Sequence, residues 1–407
     1  MSSAAQFVGL FGYAGGEIVI RGVVLDSTCS FTSTFRSSPS PAYVGGVIGH
    51  ADTANGYGRI ENCVNMASIA FAGNTEGRDL HIGGIAGSTA AITRYTFEVE
   101  NCANYGAVTI SGKSASAYAG GIVGHSYGYF MYYLYTHNSL NYGAIVNDGE
   151  AEGNVSVGGI AGYSQNNYFE NCVNYGRIAG ADNSTFVGSI VGYVDASSSD
   201  IKHCFWCNDN GEHSASGYGR PTVDNATSYA ALSPELVGRL NARSGEKGWS
   251  KWLLNMNNVS VSFKINRHKA LVLDAQVMVH PSPYRNNSER TFVGWYNDEK
   301  LLVPFTASEV EADTKVYGDW VVAMNFDLMN GTAVNSTFPY KEAIVYPDTS
   351  RAGHKFAGWF LDGNLTKPYE TETYAIRNTD LYAKYVKSFS LRTTPLLTLI
   401  FFILFLF

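Results

Sequence analysis

The chain has 407 residues, of which 15% are charged, and its formal net charge is -7. This length favours more than one domain. A negative balance without any run of basic residues excludes a nucleic-acid partner, because neutralising phosphates requires clustered lysine and arginine.

The N-terminus carries no secretory signal, because residues 1–6 contain neither a basic residue nor an apolar segment. The repeat described next already begins at Phe7. A solenoid that starts without a cap exposes a strand edge. We therefore expect the chain to be a fragment of a longer product or to derive from an incomplete gene model.

A glycine-rich phrase occurs six times, at residues 8–12, 45–49, 83–87, 120–124, 158–162 and 188–192. Gly46, Gly84, Gly121 and Gly159 lie 38, 37 and 38 residues apart. A second phrase, Glu-Asn-Cys-x-Asn, lies between the copies at 61–65, 100–104 and 170–174, with Asn138-Ser139-Leu140-Asn141 as a variant. A fixed period of this length is typical of a stacked repeat array.

The composition of the repeat favours strands. Short β-branched runs such as Ala107-Val108-Thr109-Ile110 are separated by Gly, Asn and Ser, and no helical periodicity is present. A unit this short buries its apolar face only against its neighbours. We predict that residues 1–208 form a parallel β-solenoid, or β-helix, of about six repeats with Val, Ile and Ala pointing inwards.

The glycine phrases resemble the GLUG repeat, glycine-hydrophobic-hydrophobic-glycine, found in large microbial surface and secreted proteins. The resemblance implies an extracellular or surface scaffold. It carries no catalytic residues to this chain.

Cysteine usage follows the repeat, since Cys63, Cys102 and Cys172 occupy the same phrase. Adjacent rungs lie about 4.8 Å apart, within disulfide reach. The alternative is a row of buried, unpaired thiols, which Ser139 in the variant copy supports. The pair Cys204 and Cys207 next to His203 suggests zinc or redox chemistry, but no second pair accompanies it. We therefore predict no metal and no cofactor.

Residues 209–257 are predicted to be a cap and linker with a short helix near 233–244. Ser233 suits the N-cap, Pro234 suits the first helical position, and Gly245 suits the end. We expect this helix to cover the open end of the solenoid, as repeat arrays require caps. Trp249 and Trp252 are expected to pack beneath it.

A different duplication covers residues 258–321 and 322–387. Residues around Trp295 recur around Trp359, and the six paired positions are each 64 residues apart, at 283, 292, 294, 295, 304 and 305 against 347, 356, 358, 359, 368 and 369. The phrase Phe-x-Gly-Trp-Phe/Tyr resembles the Listeria-Bacteroides, or internalin B-type, repeat. This resemblance implies two small β-grasp-like modules, each with a strand pair, a short helix and a return strand. The fixed place of both tryptophans favours core packing over sugar stacking.

Residues 388–407 form a hydrophobic tail that ends in twelve near-uninterrupted apolar residues, 396–407. Two kinds of membrane attachment fit this tail. One is a lipid-anchor signal with Ser388 as the attachment residue. The other is a spanning helix that begins near Ser388 and accommodates Arg392 by snorkelling.

Eight Asn-x-Ser/Thr sequons permit N-glycosylation in a secreted protein. They lie at Asn154, Asn183, Asn225, Asn258, Asn286, Asn330, Asn335 and Asn364.

Catalytic patterns do not survive comparison between repeats. Gly124-His125-Ser126-Tyr127-Gly128 fits a nucleophile elbow, but the sibling Gly49-His50-Ala51 lacks the serine. Glu61, Glu100 and Glu170 recur in register, which points to turn chemistry rather than to one active site.

We therefore expect a non-enzymatic surface protein, with the bulk of the chain extracellular, that acts as a scaffold for adhesion or recognition. Its partners would be a membrane, reached through the tail, and an extracellular protein or glycan. The alternatives are a carbohydrate-active β-helix enzyme and a purely structural coat component. An acidic or basic cluster confined to one rung would favour the enzyme.

Overall fold

The computed structural model contains two compact units, Met1–Arg285 with Gly294–Gly318, and Asn286–Val293 with Asp319–Phe407. The structure describes residues 2–36, 40–53, 56–92, 94–129, 132–179, 185–195, 199–207, 213–229, 232–255, 257, 259–266, 269–273, 275, 277–279, 291–339 and 341–388.

From Ser2 to Tyr229 the described residues form a parallel β-helix. Each complete turn contributes one short strand to each of five parallel sheets, numbered here in the order in which the chain enters them after residue 6, and the last turn contributes strands to sheets 2, 3 and 4. This confirms the predicted fold class, a mainly β protein built on a parallel solenoid.

Sheets 1 and 2 are joined by the glycine phrase of each turn. Sheet 1 consists of Phe7–Val8, Ala42–Gly45, Leu80–Gly83, Ala117–Gly120, Val155–Gly158 and Phe186–Gly188. Sheet 2 consists of Phe11–Gly15, Ile48–Asp52, Ala86–Ala91, Val123–Gly128, Ala161–Gln165, Val191–Asp195 and Ser216–Tyr218.

Sheets 3 and 4 are joined by the asparagine of the Glu-Asn-Cys phrase. Sheet 3 consists of Ile18–Arg21, Gly58–Glu61, Phe97–Glu100, Leu134–His137, Asn167–Glu170, Asp200–Lys202 and Thr222–Asp224. Sheet 4 consists of Val24–Leu25, Val64–Asn65, Ala103–Asn104, Leu140–Asn141, Val173–Asn174, Phe205–Cys207 and Thr227–Tyr229.

Sheet 5 closes each turn and consists of Ser2–Ser3, Ser30–Ser33, Ser68–Phe71, Val108–Ile110, Ile145–Asn147 and Ile178–Ala179. A further pair of short strands, Lys113–Ser114 and Glu150–Ala151, extends two of the turns. Alternate residues of the sheets point inwards, and Val44, Ile82, Ala119 and Val157 of sheet 1 are among the fully buried members of the core.

The parallel strands continue past residue 208, at which the sequence analysis placed the end of the solenoid. Ser216–Tyr218, Thr222–Asp224 and Thr227–Tyr229 each pair in parallel with the preceding rung. The repeat phrases are incomplete in this rung, which keeps Gly217 at the position of Gly192 and Asn225 as the left-handed corner residue, with φ of 50°. This rung was not predicted because only these parts of the two phrases remain.

The asparagine and the cysteine of the Glu-Asn-Cys phrase have different structural roles. Asn62, Asn101, Asn138 and Asn171 turn the chain from sheet 3 to sheet 4 with φ of 56°, 52°, 47° and 57°. This left-handed region admits asparagine more readily than most side chains. The following cysteine points into the core, where Cys63, Cys102 and Cys172 are fully buried free thiols. The structure thus matches the unpaired alternative for these cysteines.

The last asparagine of the phrase forms a buried hydrogen-bonded row that we call the asparagine ladder: Asn65, Asn104, Asn141 and Asn174. Each side-chain amide donates to the side-chain oxygen of the next, at 2.8, 2.9 and 2.9 Å. Except at the last rung, each amide also donates to a backbone carbonyl two residues further on. The amides of Asn65, Asn104 and Asn141 are therefore satisfied inside the solenoid, whereas the buried amide nitrogen of Asn174 has no hydrogen-bond partner among the described residues.

The asparagine ladder explains the second glycine of the other phrase. A methyl group placed on Gly84, Gly121 or Gly159 would overlap the ladder asparagine of the same rung. In the first rung Leu25 takes the ladder position and the corner reads Gly9-Leu10. In the sixth rung Trp206 takes it, and Ser189 replaces the glycine. The two phrases accompany each other because their residues pack against each other.

The predicted helix is present as Pro234–Lys247, with Ser233 as its N-cap. It ends three residues later than predicted, because Gly248 rather than Gly245 adopts the left-handed conformation, with φ of 70°. At the N-cap, the Ser233 hydroxyl accepts a hydrogen bond from the backbone amide of Leu236 at 3.2 Å. This is the arrangement that the Ser-Pro start predicted.

The helix packs on the side of the solenoid, so the prediction that it covers the open end is wrong. Leu236, Val237 and Leu240 share a buried cluster with the outward residues of sheet 4, Ala103, Leu140, Val173 and Phe205. These apolar residues belong to middle rungs and would otherwise face water. The helix covers them instead.

The corner asparagines fix this attachment. The side-chain oxygen of Asn138 accepts hydrogen bonds from the Trp252 indole at 2.7 Å and from the Ser244 hydroxyl at 2.9 Å. Trp252 is fully buried in the helix cluster, as predicted, and the Trp249 ring lies 4.9 Å from that of His137.

The rest of the first unit is formed by shorter sheets. One sheet contains Trp252–Asn255, Val277–Val279 and Glu309–Val310. Val261–Asn266 pairs antiparallel with Lys269–Leu273 and parallel with the start of Thr314–Asp327, and its hairpin shifts register between Lys264 and Asn266. A further strand is Thr291–Tyr296.

In the second unit, the later part of Thr314–Asp327 pairs antiparallel with Ala333–Pro339 and parallel with Thr379–Lys387. His354–Phe360 pairs antiparallel with Thr379–Lys387. The short helix expected in each module is absent from the described residues of both. In the second module, the described residues between Ala333–Pro339 and His354–Phe360 contain turns and isolated bridges: Ala343 pairs with Tyr374, and the Asp348 carboxylate accepts from the Ser350 amide at 2.8 Å.

Both duplicated tryptophans are core residues, as predicted. Trp295 is 7% exposed and lies 5.3 Å from the Phe263 ring, while Trp359 is 4% exposed and lies 5.2 Å from the Phe326 ring. The same tryptophan–phenylalanine pair therefore occurs in both modules.

Candidate functional site

Outward-facing aromatic side chains of sheets 1 and 2 converge along one edge of the solenoid. On sheet 1 they stand two residues before the first glycine of the corner, and on sheet 2 directly after its last glycine, which is Gly217 in the case of Tyr218. We call this set the aromatic strip: Phe7, Tyr43, His81, Tyr118 and Phe186 on sheet 1, and Tyr13, His50, His125, Tyr163, Tyr193 and Tyr218 on sheet 2.

The tight glycine corner brings the two columns of the aromatic strip together. A methyl group on Gly45 or Gly120 would overlap the carbonyl oxygen three residues later. Rings of the same rung are therefore in contact, with centroids 4.6 Å apart for Tyr43 and His50 and 5.4 Å apart for Tyr118 and His125.

Rings on sheet 2 also stack along the solenoid axis. His125 and Tyr163 lie 4.5 Å apart with their planes 8° from parallel, and Tyr163 and Tyr193 lie 5.6 Å apart at 6°. Tyr193 and Tyr218 continue the stack at 4.8 Å and 13°. Each ring is held by neighbours above and below, so the strip is ordered before any ligand arrives.

Three histidines lie inside the strip and are uncharged at neutral pH. The rings of His81 and His125 stack at 4.2 Å, and the Nδ1 atoms of His50, His81 and His125 are buried without a hydrogen-bond partner. Burial, with a smaller contribution from His50, lowers the pKa of His125 to about 3. Burial also lowers the pKa of His81, and it lowers that of His50 although the Asp52 carboxylate opposes the shift.

Carboxylates supply the charge along the strip. The Tyr13 hydroxyl donates to Asp52 at 2.7 Å, and the Tyr163 hydroxyl donates to Asp195 at 2.9 Å. Burial and the nearby Asp79 raise the pKa of both Tyr43 and Tyr118. The strands of sheets 1 and 2 contain no lysine or arginine. The strip therefore presents phenol groups and negative charge.

The carboxylates considered as catalytic candidates occupy one column of sheet 3. Glu61, Glu100 and Glu170 share a register position with Arg21, His137 and Lys202. Glu61 forms ion pairs with Arg21 at 3.4 Å and Arg59 at 3.5 Å, and Glu170 is paired with Arg243 of the helix. These acids are spread over several rungs. Glu61 and Glu170 are paired with arginines, and Glu100 accepts a hydrogen bond from the Asn101 side-chain amide at 2.9 Å.

The other sequence candidates have structural positions. Ser126 lies within the strand Val123–Gly128, is 1% exposed, and its hydroxyl accepts a hydrogen bond from Asn167 at 2.8 Å. His203 is the corner residue of its rung, with φ of 51°, and Cys204 is buried like the earlier cysteines. Across the described part of the chain, no group of three or more His, Cys, Asp or Glu side chains is arranged to hold a metal ion.

Five of the eight sequon asparagines fall in described residues, and all five are exposed: Asn154, Asn225, Asn330, Asn335 and Asn364. Asn183, Asn258 and Asn286 lie outside the described residues. Glycosylation at all eight stays a prediction.

Ser388 is exposed, and its amide donates to the Gly353 carbonyl at 3.0 Å. The remainder of the predicted tail, 389–407, lies outside the described residues. Within the described ones, no helix is long and apolar enough to cross a membrane.

From the sequence, the sheet 2 column is recognisable only as a position that holds His or Tyr in five of the six copies, and the sheet 1 column was missed. The missed signal is the residue two places before the first glycine of each copy, which is aromatic or histidine in five of the six copies. Only the fold shows that this residue meets the other column.

Comparison with known families and relatives supports part of the predicted organisation. Residues 323–384 match the Listeria-Bacteroides repeat domain, which confirms the second predicted copy. Two proteins of Evansella cellulosilytica are similar to this chain. One, named "Putative membrane protein", is 32% identical over 150 residues, which cover 34% of this chain and 22% of the relative. The other, named "Putative Gly-rich membrane protein", is 29% identical over 149 residues, which cover 34% and 17%.

The chain thus spans about a fifth of the length of these relatives. Among solved structures, it resembles a putative immunoglobulin A1 protease from Bacteroides ovatus, with a TM-score of 0.33 and 17% identity over 67% of this chain and 86% of that one. A likeness this low carries no weight for function. The GLUG resemblance and the first Listeria-Bacteroides copy stay predictions.

Proposed function

We propose that this repeat protein is a non-enzymatic surface scaffold, attached to a membrane through its C-terminal tail, whose solenoid recognises an extracellular protein or glycan through the aromatic strip. The repeat architecture and the membrane-protein names of its relatives support the surface location. The relatives' names describe those proteins only, so attachment of this chain needs its own test.

The aromatic strip is the observation that carries the recognition role. Tyrosine combines a large apolar ring with a hydrogen-bonding tip, and it is enriched in recognition surfaces for that reason. In this strip the rings are already stacked, so binding a ligand would freeze few side-chain rotations. Tyr13 and Tyr218 are 53% and 52% exposed, and Tyr43, Tyr118, Tyr163 and Tyr193 are partly exposed.

The placement of the carboxylates supports a non-catalytic role. A glycosidase of the usual kind needs two carboxyl groups that flank one bond, one of them free to move a proton. Glu61 and Glu170 are instead held by arginines, and they are separated by whole rungs. The glutamates of this column are therefore explained by ion pairing along sheet 3.

Binding to glycan arrays and to cell surfaces tests the recognition role. We expect Tyr163→Ala with Tyr193→Ala, introduced into the full chain in detergent, to reduce binding at least about tenfold, because both the phenol groups and the order of the stack are lost. Tyr135→Ala with Tyr168→Ala is the matched control. These rings also stack, at 5.4 Å, but on sheet 3. Equal losses in both pairs, or none in either, would contradict the proposal.

Fractionation tests membrane attachment and its type. Deleting residues 396–407 should release the protein from membranes, because burying each methylene of the tail contributes up to ~0.8 kcal/mol. If the tail is a lipid-anchor signal, a phosphatidylinositol-specific phospholipase should also release the native protein, and Ser388→Trp should block that processing. A spanning helix would resist the lipase and yield only to detergent. Native protein found in the soluble fraction without treatment would refute attachment.

A further inference from the structure

The outer surface of the aromatic strip consists of ring edges rather than ring faces along sheet 2. Between His125 and Tyr218 the rings stack nearly parallel, at 6° to 13°. Each inner ring of the stack therefore covers the faces of its neighbours. A ligand meets a row of phenol edges and hydroxyls, together with the carboxylates that two of these hydroxyls contact.

The charge of this row selects against anionic ligands. Asp52, Asp79 and Asp195 lie beside its tyrosines, and the strands that carry the strip contain no cationic side chain. The three histidines remain neutral because burial lowers each pKa. Arg78 offsets the charge of Asp79, but a sulfated, phosphorylated or uronic polymer would meet like charge at Asp52 and Asp195.

The row is also periodic in one dimension. Consecutive strands of sheet 2 pair in register from Tyr13 to Tyr218 at the strand spacing of about 4.8 Å. Ser88 interrupts the rings at this position, and from His125 to Tyr218 a ring recurs on every strand. A linear polymer with a regular repeat can therefore make the same contact with the aromatic strip at several rungs. Once one unit of the polymer is bound, the next unit binds intramolecularly, which raises the overall affinity.

We propose that the aromatic strip binds an uncharged, linear polysaccharide whose chain lies along the solenoid axis. The sugar hydroxyls donate to and accept from the tyrosine hydroxyls and donate to Asp52 and Asp195. This inference rests on the proposed recognition role, and it narrows the ligand to one class.

The test measures binding of the full chain in detergent to dextran, mannan and laminarin as uncharged polymers, to heparin as an anionic polymer and to chitosan as a cationic one. Tyr118→Phe, Tyr163→Phe and Tyr193→Phe together remove three hydroxyls and keep the rings. Each neutral hydrogen bond is worth roughly twofold to tenfold in affinity, so we expect at least about tenfold weaker binding for the triple variant. Tyr135→Phe with Tyr168→Phe on sheet 3 is the control and should bind normally.

A length series of one uncharged oligosaccharide adds a second readout. Affinity should rise with the number of sugars until the oligosaccharide spans the strip. Length-independent affinity, or binding of heparin or chitosan alone, overturns the inference. Binding of a cell-surface protein that is lost in Tyr163→Ala with Tyr193→Ala, without binding of any uncharged polymer, overturns it while the recognition role stands. Polysaccharide binding that is unchanged in the alanine pair overturns both.

Discussion

Replacing Gly121 by alanine, alone and together with Asn141→Ala, tests whether the two repeat phrases depend on each other. Asn141 accepts from Asn104 at 2.9 Å and donates to Asn174 at 2.9 Å and to the Gly143 carbonyl at 3.0 Å. Asn141→Ala leaves the Asn174 oxygen and the Gly143 carbonyl without these donors. At about 1 to 3 kcal/mol for each buried polar group, the variant should lose roughly 2 to 5 kcal/mol.

Gly121→Ala acts through crowding. The new methyl group would overlap both the Asn141 side chain and the Gly159 carbonyl, and overpacking of this kind costs about 1 to 3 kcal/mol. In the double variant the asparagine is gone, so part of the crowding is relieved. The combined loss should therefore fall short of the sum by about 1 kcal/mol or more.

The measurement is urea unfolding followed by far-ultraviolet circular dichroism, with amide hydrogen exchange to locate the loss, since repeat arrays open in parts. The matched control pairs Gly121→Ala with Asn65→Ala, a ladder residue two rungs away, for which the losses should add. Additive losses for Gly121 and Asn141 would refute the packing explanation of the repeat.

Three further predictions concern other parts of the chain. Cys172→Ser should change stability by less than about 1 kcal/mol, because Ser139 already occupies this position and donates to the His137 carbonyl at 2.8 Å; a large loss of thermal stability would show that the thiol is irreplaceable. Trp359→Ala should cost the second unit about 3 to 5 kcal/mol in thermal unfolding, whereas exposed Tyr374→Ala should cost little. Because the pKa of His125 is about 3 in the folded protein and about 6.5 when unfolded, its stabilising contribution is present above about pH 6.5 and is lost as the pH falls towards 3. Urea midpoints should therefore drop over this interval, less so in His125→Gln, and an equal drop in both would exclude the histidine as a cause.

The solenoid was predictable because its signals repeat. A corner that occurs once is hard to interpret, but the same glycine corner in six copies, with β-branched residues between, leaves few alternatives to stacked strands. The helix start was also readable, since Ser233 and Pro234 act locally on backbone donors that every helix leaves open.

The side on which the helix packs was not predictable. It depends on the outward residues Leu140, Val173 and Phe205, each of which is one position in a phrase whose neighbours point inwards. It also depends on Asn138, whose side chain reaches Trp252 across 114 residues of sequence. The aromatic strip was not predicted for a similar reason. Its two columns lie on different strands, and the folded glycine corner is what brings them together.

The asparagine rows also determine the electrostatics along the axis. In the asparagine ladder Asn65, Asn104 and Asn141 each donate to the next rung towards the C-terminus, and Asn174 accepts at the end of the row. Among the corner asparagines the direction is reversed, because Asn171 donates to Asn138 and Asn138 donates to Asn101. Aligned amides sum to a dipole, as peptide units do in a helix. Because the rows have opposite polarity, the two corner hydrogen bonds offset part of the dipole of the three ladder hydrogen bonds. The axial field that distinguishes one end of the solenoid from the other is therefore smaller than the ladder alone would create.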